Sequence, residues 1–382
     1  LAARGDPPAS SERRLRVGFV SGDFRRHALA SFLLPIWTRL DRRRVSLHAY
    51  SNHRTQDATT AALRALADDW CDISGLGDEG AADRIRKDGI DVLVDLSGHT
   101  AFNRLGLFAR RPAPVQISWA GYPATTGLSR IDYYLTDTVL APPGRYDAQF
   151  SEALLLTEAG CAFDGGDDVP EIAALPSLSN DVFTFGSFNR MSKLTPQTLD
   201  LWCRVLRAVP DARMLVGSVS AEDAPRLRST FDAHGIDEAR LTLLPRLEAR
   251  AYATAHAGVD LLLDTQPYSG GTTTCHGLWM GVPTLTLTGD SPPSRQSASA
   301  LVRVGLGDFV VDTADEFVRQ ACTWPSRRVE LAGIRRGLRE RVRASGLGHP
   351  HLAAEGFEDA VRAAWRRWCR GESPAPMVIP LR

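Results

Sequence analysis

Short apolar runs alternate along this chain with longer stretches in which apolar residues recur every three to four positions. The runs predict β-strands and the stretches predict amphipathic helices. A run such as Ile90–Leu96, which is mostly apolar, is typical of a strand that is buried on both faces. The regular alternation of strands and helices therefore predicts an α/β fold with parallel sheets covered by helices.

Two groups of elements follow from this pattern. The predicted strands are Leu15–Val20, Val45–Tyr50, Ile90–Leu96, Val115–Trp119 and Ile131–Leu135, and then Val182–Ser187, Arg213–Val216, Leu241–Leu244, Val259–Leu263 and Thr284–Leu287. The predicted helices lie near 29–40, 57–67, 79–88, 196–208, 222–234, 247–257, 273–280 and 294–303, with two amphipathic closing helices at Arg327–Arg343 and Leu352–Arg370.

The alternation is interrupted between residues 158 and 181 by a segment rich in glycine, aspartate, proline and serine, a composition typical of a linker. We therefore predict two α/β domains of similar size with a cleft between them. The predicted boundaries are a linker at 1–14, a first domain at 15–160, an interdomain linker at 161–181, a second domain at 182–330, and closing helices with a tail at 331–382.

Composition limits the class of protein. Among the 382 residues, 45 Lys and Arg balance 45 Asp and Glu, which argues against a nucleic-acid partner. The six cysteines are dispersed without a Cys-x-x-Cys pair, so we expect reduced thiols in the cytoplasm and no metal site. No apolar run is long enough to span a bilayer and no signal peptide opens the chain, so we expect no membrane partner. Because the chain begins at Leu1, we expect it to be part of a longer protein.

The segment Asp264–Pro283 has the composition of a phosphate-binding turn. An apolar run ends at Asp264, two glycines and three threonines follow, and a short helical segment comes next. Glycines allow a ligand to approach the backbone, and the first turn of a helix presents unpaired N–H groups that favour anions. The alternative is a helix capped by Ser or Thr without any ligand. No Gly-Lys-Ser/Thr follows the glycines, so the segment is not a P-loop.

Other predicted strands also end in loops with functional residue types. His27 follows the first strand and could act as a general base or cap the next helix. Arg190 and Lys193 follow the first strand of the second domain and could neutralise a diphosphate or form a solvated basic turn. The loops Asp95–Thr100 and Gly121–Gly127 are compatible with a pocket lining or with ordinary turns.

Several of these segments together resemble one family. Gly98-His99-Thr100, Arg111-Pro112-Ala113-Pro114-Val115-Gln116, Gly121-Tyr122-Pro123, Phe188-Asn189 with Lys193, and Asp264-Thr265 through Thr272-Thr273-Thr274 occur in this order and approximate spacing. They resemble the catalytic region of the protein O-glycosyltransferases that include O-GlcNAc transferase and the plant protein SPINDLY. The resemblance covers about Leu15 to Pro374, and Gly271–Cys275 and Trp365–Glu372 are closer to SPINDLY.

This resemblance implies a GT-B arrangement, with two Rossmann-like domains whose parallel sheets face a cleft. It also implies an inverting, metal-independent glycosyltransferase without a cofactor, which transfers a single sugar to Ser or Thr hydroxyls of a protein or peptide acceptor. UDP-GlcNAc is the donor we expect. The alternatives are GDP-fucose, because of the SPINDLY-like segments, and a catalytically silent nucleotide-sugar-binding module. The family's tetratricopeptide repeats are absent from this sequence, and we expect them in the part of the protein that precedes Leu1.

The resemblance also assigns roles to residues. Lys193 corresponds to the diphosphate-binding lysine, and His27 corresponds to a histidine near the reaction centre that acts as a base or positions substrate. The residues implied in nucleotide-sugar binding are Asn189, Arg190, Lys193, Leu247, Ala249, Tyr252, Gly271, Thr272, Thr273, Thr274 and His276. The residues implied on the acceptor or sugar side are His99, Gly121, Tyr122, Pro123 and Thr125.

His276 departs from the family pattern. The relatives carry Asp or Glu at this position, and the resemblance implies that this carboxylate holds the ribose hydroxyls. A neutral imidazole has only one acceptor nitrogen, whereas a carboxylate has several lone pairs. We therefore expect either a single hydrogen bond to the ribose or a different nucleotide preference.

Overall fold

The computed structural model, which describes residues 10–380, contains two sheets in which every paired strand runs parallel to its neighbour. The strands are β1 Leu15–Ser21, β2 Val45–Ser51, β3 Asp69–Asp72, β4 Val92–Asp95, β5 Val115–Trp119, β6 Tyr133–Asp137, β7 Ala153–Thr157, β8 Thr184–Ser187, β9 Arg213–Val216, β10 Leu241–Leu243, β11 Leu261–Leu263, β12 Thr284–Leu287, β13 Val310–Val311 and β14 Met377–Ile379. The parallel α/β class predicted from the sequence is confirmed.

Helices connect these strands. They are α1 Ala30–Trp37, α2 Ala58–Leu66, α3 Asp78–Lys87, α4 Leu105–Ala109, α5 Ser177–Asn180, α6 Pro196–Ala208, α7 Asp223–Ala233, α8 Ala249–Ala255, α9 Thr272–Trp279, α10 Gln296–Arg303, α11 Ala314–Thr323, α12 Arg328–Ala344 and α13 Pro350–Cys369. No helix within residues 10–380 combines the length and the apolar composition that a membrane span requires. None of the six cysteines, all of which lie in this described part, forms a disulfide.

The first structural unit comprises residues 10–164 and 348–380. Its eight strands are ordered β14-β7-β6-β5-β4-β1-β2-β3, so the chain reverses its direction across the sheet between β1 and β4. Phe19 on β1 is fully buried and packs against Trp37 of α1 (5.1 Å between ring centroids) and Phe357 of α13 (5.6 Å). These aromatic contacts pack α1 and α13 against the sheet.

The second structural unit comprises residues 165–347. Its six strands are ordered β10-β9-β8-β11-β12-β13, so the reversal lies between β8 and β11. Helix α6 starts at a capped and proline-initiated turn, where Thr195 accepts a hydrogen bond from the N–H of Thr198 and Pro196 occupies the first position. In open parallel sheets, ligands bind outside the carboxyl ends of the strands at such a reversal.

The closing segment predicted at 331–382 is divided between the two units. Helix α12 belongs to the second unit because the buried Arg335 guanidinium donates hydrogen bonds to the backbone carbonyls of Ala173 (2.7 Å), Val259 (2.7 Å) and His256 (3.1 Å). Helix α13 and strand β14 belong to the first unit, where β14 pairs with β7. Part of the predicted linker at 161–181 is also incorporated, since Ser177 donates its N–H to Asp260 of the second unit.

The predicted linker at 1–14 is described only from residue 10 onward. Its described part is ordered against the first unit, because Arg13 forms an ion pair with Asp91 and lies 5.0 Å from the ring centroid of Trp365. Residues 1–9 lie outside the described residues.

Candidate functional site

The reversal of the second sheet brings two predicted ligand loops to one edge. β8 and β11 are paired in parallel, with Phe185 opposite Leu261. The loop after β8 carries Lys193, and the loop after β11 runs from Asp264 into α9. Because parallel strands end at the same sheet edge, the sequence correctly predicted that these two loops lie side by side.

Lys193 connects the two loops. Its ammonium donates a hydrogen bond to the backbone carbonyl of Ser269 (2.6 Å) and lies 4.2 Å from the ring centroid of Tyr268. The pKa of Lys193 is lowered to about 8, mainly by burial, which the charge of Asp264 opposes and the charge of Arg190 reinforces. Lys193 is one of only two lysines in a chain that otherwise uses arginine as its cation. A compact ammonium that can change its charge is therefore placed at the end of the central strands.

Asp264 organises the glycine turn that precedes α9. This buried carboxylate accepts hydrogen bonds from the N–H groups of Thr265 (2.8 Å) and Gly270 (2.7 Å) and from the hydroxyl of Thr286 (2.6 Å). A Cβ atom at Gly270 would lie 2.3 Å from the hydroxyl oxygen of Thr274. The turn therefore requires glycine at this position, and Asp264 holds it in place.

The start of α9 has features that favour an anion. Gly271 is the N-cap residue, and no side-chain hydrogen bond caps the helix among the described residues. The side chains of Thr272 and Thr273 are partly exposed next to these N–H groups. Thr274 differs from both because it is buried and its hydroxyl is bonded to that of Ser297 (2.7 Å). Of the three threonines implied in nucleotide-sugar binding, only Thr272 and Thr273 therefore keep an available hydroxyl in this turn.

Asn189 and Arg190 follow β8 directly. Asn189 is buried, and its Oδ1 atom has no hydrogen-bond partner within residues 10–380. A buried acceptor without a partner costs free energy, so it is a candidate for a bond to a ligand or to a bound water. Arg190 is exposed and contributes positive charge at the same strand end.

Four rings form a cluster beside this phosphate-type site: Phe188, Tyr252, His256 and His276. The ring of Tyr252 meets His276 edge-on (5.5 Å between centroids) and also contacts Phe188 (5.4 Å). Burial lowers the pKa of His276 to about 4, so the side chain is neutral at physiological pH. His276 lies four residues after Thr272 on α9, and hence on the same helical face. The structure thus groups Tyr252 and His276 one helical turn away from the start of α9.

Leu247 and Ala249 lie just before Tyr252. Leu247 is half-buried, and Ala249 is the exposed first residue of α8. Their backbone therefore leads directly into the helix that carries the Tyr252 ring.

His256 was not predicted from the sequence. It is fully buried and stacks on Phe188 (4.3 Å between centroids), and its Nδ1 donates to the backbone carbonyl of Tyr252 (2.9 Å). Its Nε2 atom has no hydrogen-bond partner within residues 10–380, and burial lowers its pKa to about 4. The signal for this residue was its spacing of four from Tyr252 on one helical face.

The first unit has a second group of predicted site residues, in the loops after β1, β4 and β5. His27 is exposed, its Nδ1 accepts the N–H of Leu29 (3.3 Å), and the same nitrogen lies 3.7 Å from a carboxylate oxygen of Asp23. With Nδ1 as the acceptor, the neutral ring carries its proton on Nε2. His27 therefore does not cap α1, whose N-cap residue Leu29 has no side-chain cap bond within residues 10–380, and the ring instead holds the N–H of Leu29 just before the helix.

The loops after β4 and β5 are packed against each other. His99 donates from Nε2 to the carbonyl of Thr126 (3.0 Å), and its ring meets that of Tyr122 edge-on (5.4 Å). Gly98 has a φ of 51°, and a Cβ at Gly121 would lie 1.8 Å from the carbonyl oxygen of Leu96. Glycine is thus required where the two backbones meet. Pro123, which follows Tyr122, is partly exposed in the same loop.

A buried carboxylate that we did not predict fixes the end of this loop. Glu152 accepts hydrogen bonds from the hydroxyl of Thr125 (2.7 Å) and from the N–H of Thr126 (2.8 Å). On the other loop, Asp95 accepts from the N–H of Gly98 (2.9 Å), and burial raises the pKa of this carboxyl. These contacts hold His99, Tyr122 and Thr125 in a defined arrangement within the first unit.

Two Rossmann-like units, each with candidate ligand loops where its strand order reverses, are characteristic of the GT-B class of glycosyltransferases. The sequence pattern of glycosyl transferase family 41 matches residues 5–169 and 166–351. The chain therefore belongs to glycosyl transferase family 41.

Individual relatives agree with this assignment. The proteins named "Probable UDP-N-acetylglucosamine–peptide N-acetylglucosaminyltransferase SPINDLY" of Arabidopsis thaliana and Hordeum vulgare are 37% and 36% identical to this chain over 95% and 97% of its length. The chain spans only 41% and 40% of their lengths. A solved mutant form of the Thermobaculum terrenum O-GlcNAc transferase is 36% identical and superposes with a TM-score of 0.91, over 97% of this chain and 71% of that one.

Proposed function

We propose that this chain is the catalytic region of a protein O-GlcNAc transferase, which moves one GlcNAc from UDP-GlcNAc to a Ser or Thr hydroxyl. The observation that carries the proposal is the position of Lys193 beside the uncapped start of α9. An ammonium and a helix N-terminus at one strand end form a seat for a diphosphate. The names of the relatives support the choice of sugar and of a peptide acceptor.

In the proposed reaction the acceptor oxygen attacks the anomeric carbon of the sugar and inverts it. The bond from that carbon to the diphosphate breaks, the diphosphate leaves with the electron pair, and the acceptor hydroxyl passes its proton to solvent water. Lys193 and the N–H groups and hydroxyls of Thr272 and Thr273 stabilise the charge on the leaving group. One such well-placed donor lowers the activation barrier by about 2.7–4 kcal/mol. We propose that this stabilisation needs no metal ion.

The ammonium of Lys193 is suited to this task because its charge responds to the ligand. With a pKa of about 8 it is mostly, but not fully, charged in the free protein near neutral pH, and an adjacent diphosphate favours its protonated form. The lysine therefore carries its full charge when the nucleotide is present. A permanently charged arginine in this position would carry the cost of its partial burial in the free protein as well.

GDP-fucose is the alternative donor. Its support is the SPINDLY-like segments of the sequence and the 36–37% identity to relatives that carry the name SPINDLY. The neutral His276 also offers the ribose fewer acceptors than a carboxylate would. Mass spectrometry of a modified acceptor separates the two donors, because an N-acetylhexosamine and a deoxyhexose add different masses.

The proposal is tested by titrating the purified chain with UDP-GlcNAc, UDP, GDP-fucose and GDP, and then measuring transfer to polypeptides. We expect Lys193→Ala to lower kcat/KM by about 100- to 1000-fold. Lys87→Ala, which removes the only other lysine, is the matched control and should retain full activity. Turnover by a folded Lys193→Ala variant at the wild-type rate would refute the role of this residue. Binding of nucleotide without any hydrolysis or transfer would instead indicate the catalytically silent module.

A further inference from the structure

We propose that Phe102, supported by His53, is a docking platform for an apolar side chain of the acceptor polypeptide. This inference rests on the proposed function, because it names a contact of the protein acceptor. Phe102 lies in the loop between β4 and α4, and 54% of the residue is exposed. A large aromatic side chain at the surface is a typical anchor of a binding interface.

The backbone of Phe102 has an unfavourable conformation for its residue type. Its φ is 59°, in the left-handed region that L-residues with a bulky side chain rarely adopt. Residues held in such conformations are concentrated at functional sites, where the surrounding structure maintains them. At an exposed position glycine or asparagine would avoid the strain, so a phenylalanine here needs a reason other than stability.

A chain of hydrogen bonds maintains this conformation. The amide of Asn52 donates to the carbonyl of Phe102 (2.8 Å), and Arg104 donates to the Asn52 Oδ1 (3.0 Å). Arg104 is fixed in turn by the carbonyl of Leu76 (2.9 Å) and by the carboxylate of Asp78 (2.9 Å). The exposed ring is therefore presented on a rigid base, and ordering it on binding costs little conformational entropy.

His53 completes the platform. Its ring packs edge-on against Phe102 (4.8 Å between centroids), and its Nδ1 accepts the N–H of Thr55 (2.9 Å). The neutral ring then carries its proton on Nε2, where it can donate to a backbone carbonyl of a peptide. An apolar ring next to a single donor suits a polypeptide with an apolar side chain better than a phosphate group.

The platform is continuous with the candidate acceptor loops of the first unit. A Cβ at Gly22 would lie 2.4 Å from the Cβ of Phe102, so the loop that carries His27 passes directly against it. The same β4 loop contains His99, which contacts the loop of Tyr122. Phe102 thus lies where the strand order of this sheet reverses, at the edge that holds the predicted acceptor residues.

The test compares two serine peptides, one with leucines beside the serine and one with glycines there. We expect Phe102→Ala to raise the KM of the leucine peptide about tenfold, while the KM of the donor and the rate of donor hydrolysis stay within twofold. Phe102→Gly should lose the same preference and yet melt at an equal or higher temperature, because it relieves the strained φ. A structural role alone would not separate stability from acceptor affinity in this way. Val378→Ala, which truncates another exposed apolar side chain of this unit, is the control.

The possible outcomes are distinct. An unchanged peptide KM in both Phe102 variants, with an active wild-type enzyme, would overturn the platform alone. A raised KM for the donor with an unchanged peptide KM would assign the ring to a sugar and would also overturn it. A wild-type chain that transfers no sugar to any polypeptide would overturn the proposed function, and the platform with it.

Discussion

The ammonium of Lys193 donates a hydrogen bond of 2.6 Å to the backbone carbonyl of Ser269. The two residues are far apart in sequence and meet because β8 and β11 are neighbours in the second sheet. In this position the lysine occupies the approach to the N-terminus of α9. A ligand with negative charge at that helix would compete with a neutral carbonyl for the ammonium, and the charged acceptor forms the stronger bond.

The affinity for UDP should therefore depend on pH through Lys193. Below pH 8 the lysine is charged in the free protein, so it contributes no pH dependence there. Above pH 8 the free lysine loses its proton, binding must take one up, and affinity should fall by up to tenfold per pH unit. Calorimetric titrations between pH 7 and 9.5, in buffers with different ionisation enthalpies, measure both the affinity and the proton uptake. A Lys193→Met variant should show weaker binding without this slope.

The same pKa predicts the opposite trend for folding stability. The pKa of Lys193 is lowered in the folded protein from 10.5 to about 8, so the folded state binds fewer protons than the unfolded state between these values. Stability should therefore rise with pH through this window as the penalty for a partly buried ammonium disappears. For the binding prediction above, an equal pH dependence of UDP affinity in wild type and Lys193→Met would contradict the role assigned to Lys193.

Replacing Gly270 by alanine should impair nucleotide binding through the shape of the turn. The added methyl would lie 2.3 Å from the hydroxyl oxygen of Thr274 and 3.2 Å from that of Ser297. We expect a loss of about 1–3 kcal/mol in stability and at least tenfold weaker UDP binding. Gly258→Ala is the control, because its nearest neighbour would be 4.0 Å away. Thermal unfolding and UDP titration of both variants measure these effects. Equal UDP affinities of Gly270→Ala and Gly258→Ala would show that the turn tolerates a side chain.

Changing His276 to glutamate should alter recognition of the ribose. The neutral imidazole has one acceptor nitrogen, whereas a carboxylate can accept from both ribose hydroxyls. We expect His276→Glu to increase the ratio of UDP to 2′-deoxy-UDP affinity by about tenfold, the size of one hydrogen bond to a charged group. His234→Glu at the end of α7 should leave this ratio unchanged. If both variants keep the wild-type ratio, His276 does not contact the ribose.

The two functions of His27 can be separated by substitution with asparagine. An asparagine side chain can accept the N–H two residues later, as the His27 ring does with Leu29, but it lacks the ring Nε2. His27→Asn should thus melt near the wild-type temperature, bind UDP normally and transfer sugar about tenfold more slowly, because it lacks the Nε2–H that can hold a substrate oxygen. His27→Ala should lose transfer and also the contact to Leu29. Normal transfer by His27→Asn would leave His27 only its local bond to the N–H of Leu29.

Short strands rich in buried residues were among the elements that sequence predicted best. Val115–Trp119, Arg213–Val216 and Thr284–Leu287 have the predicted bounds, although each of them also contains polar residues. Helix Pro196–Ala208 was equally clear, since a threonine and a proline mark its start. The strand Asp69–Asp72 was missed, because only two apolar residues, Trp70 and Cys71, lie between its terminal aspartates and give too short a signal.

Long-range relations were less accessible. Helix α11 was missed although Thr313 caps it, with Glu316 donating the N–H. The apolar stripes of α12 and α13 indicated that both are packed, but a stripe does not say which sheet it covers. In the candidate site, the predicted strands correctly indicated that the loops of Lys193 and Thr272 lie at the same edge of the sheet. The bond that diverts the Thr274 hydroxyl to Ser297 and the orphaned nitrogen of His256 depend on tertiary contacts that leave no local pattern.

Arg335 determines where this protein can be shortened. Its guanidinium is the partner of three backbone carbonyls that come from two distant segments, and two of them, at His256 and Val259, follow the ring cluster of the second unit. A truncation at residue 330, the end of the second domain as predicted from the sequence, removes the donor of all three carbonyls. Each unpaired carbonyl costs about 1–3 kcal/mol of stability. The smallest independently folding nucleotide-binding fragment should therefore extend through α12.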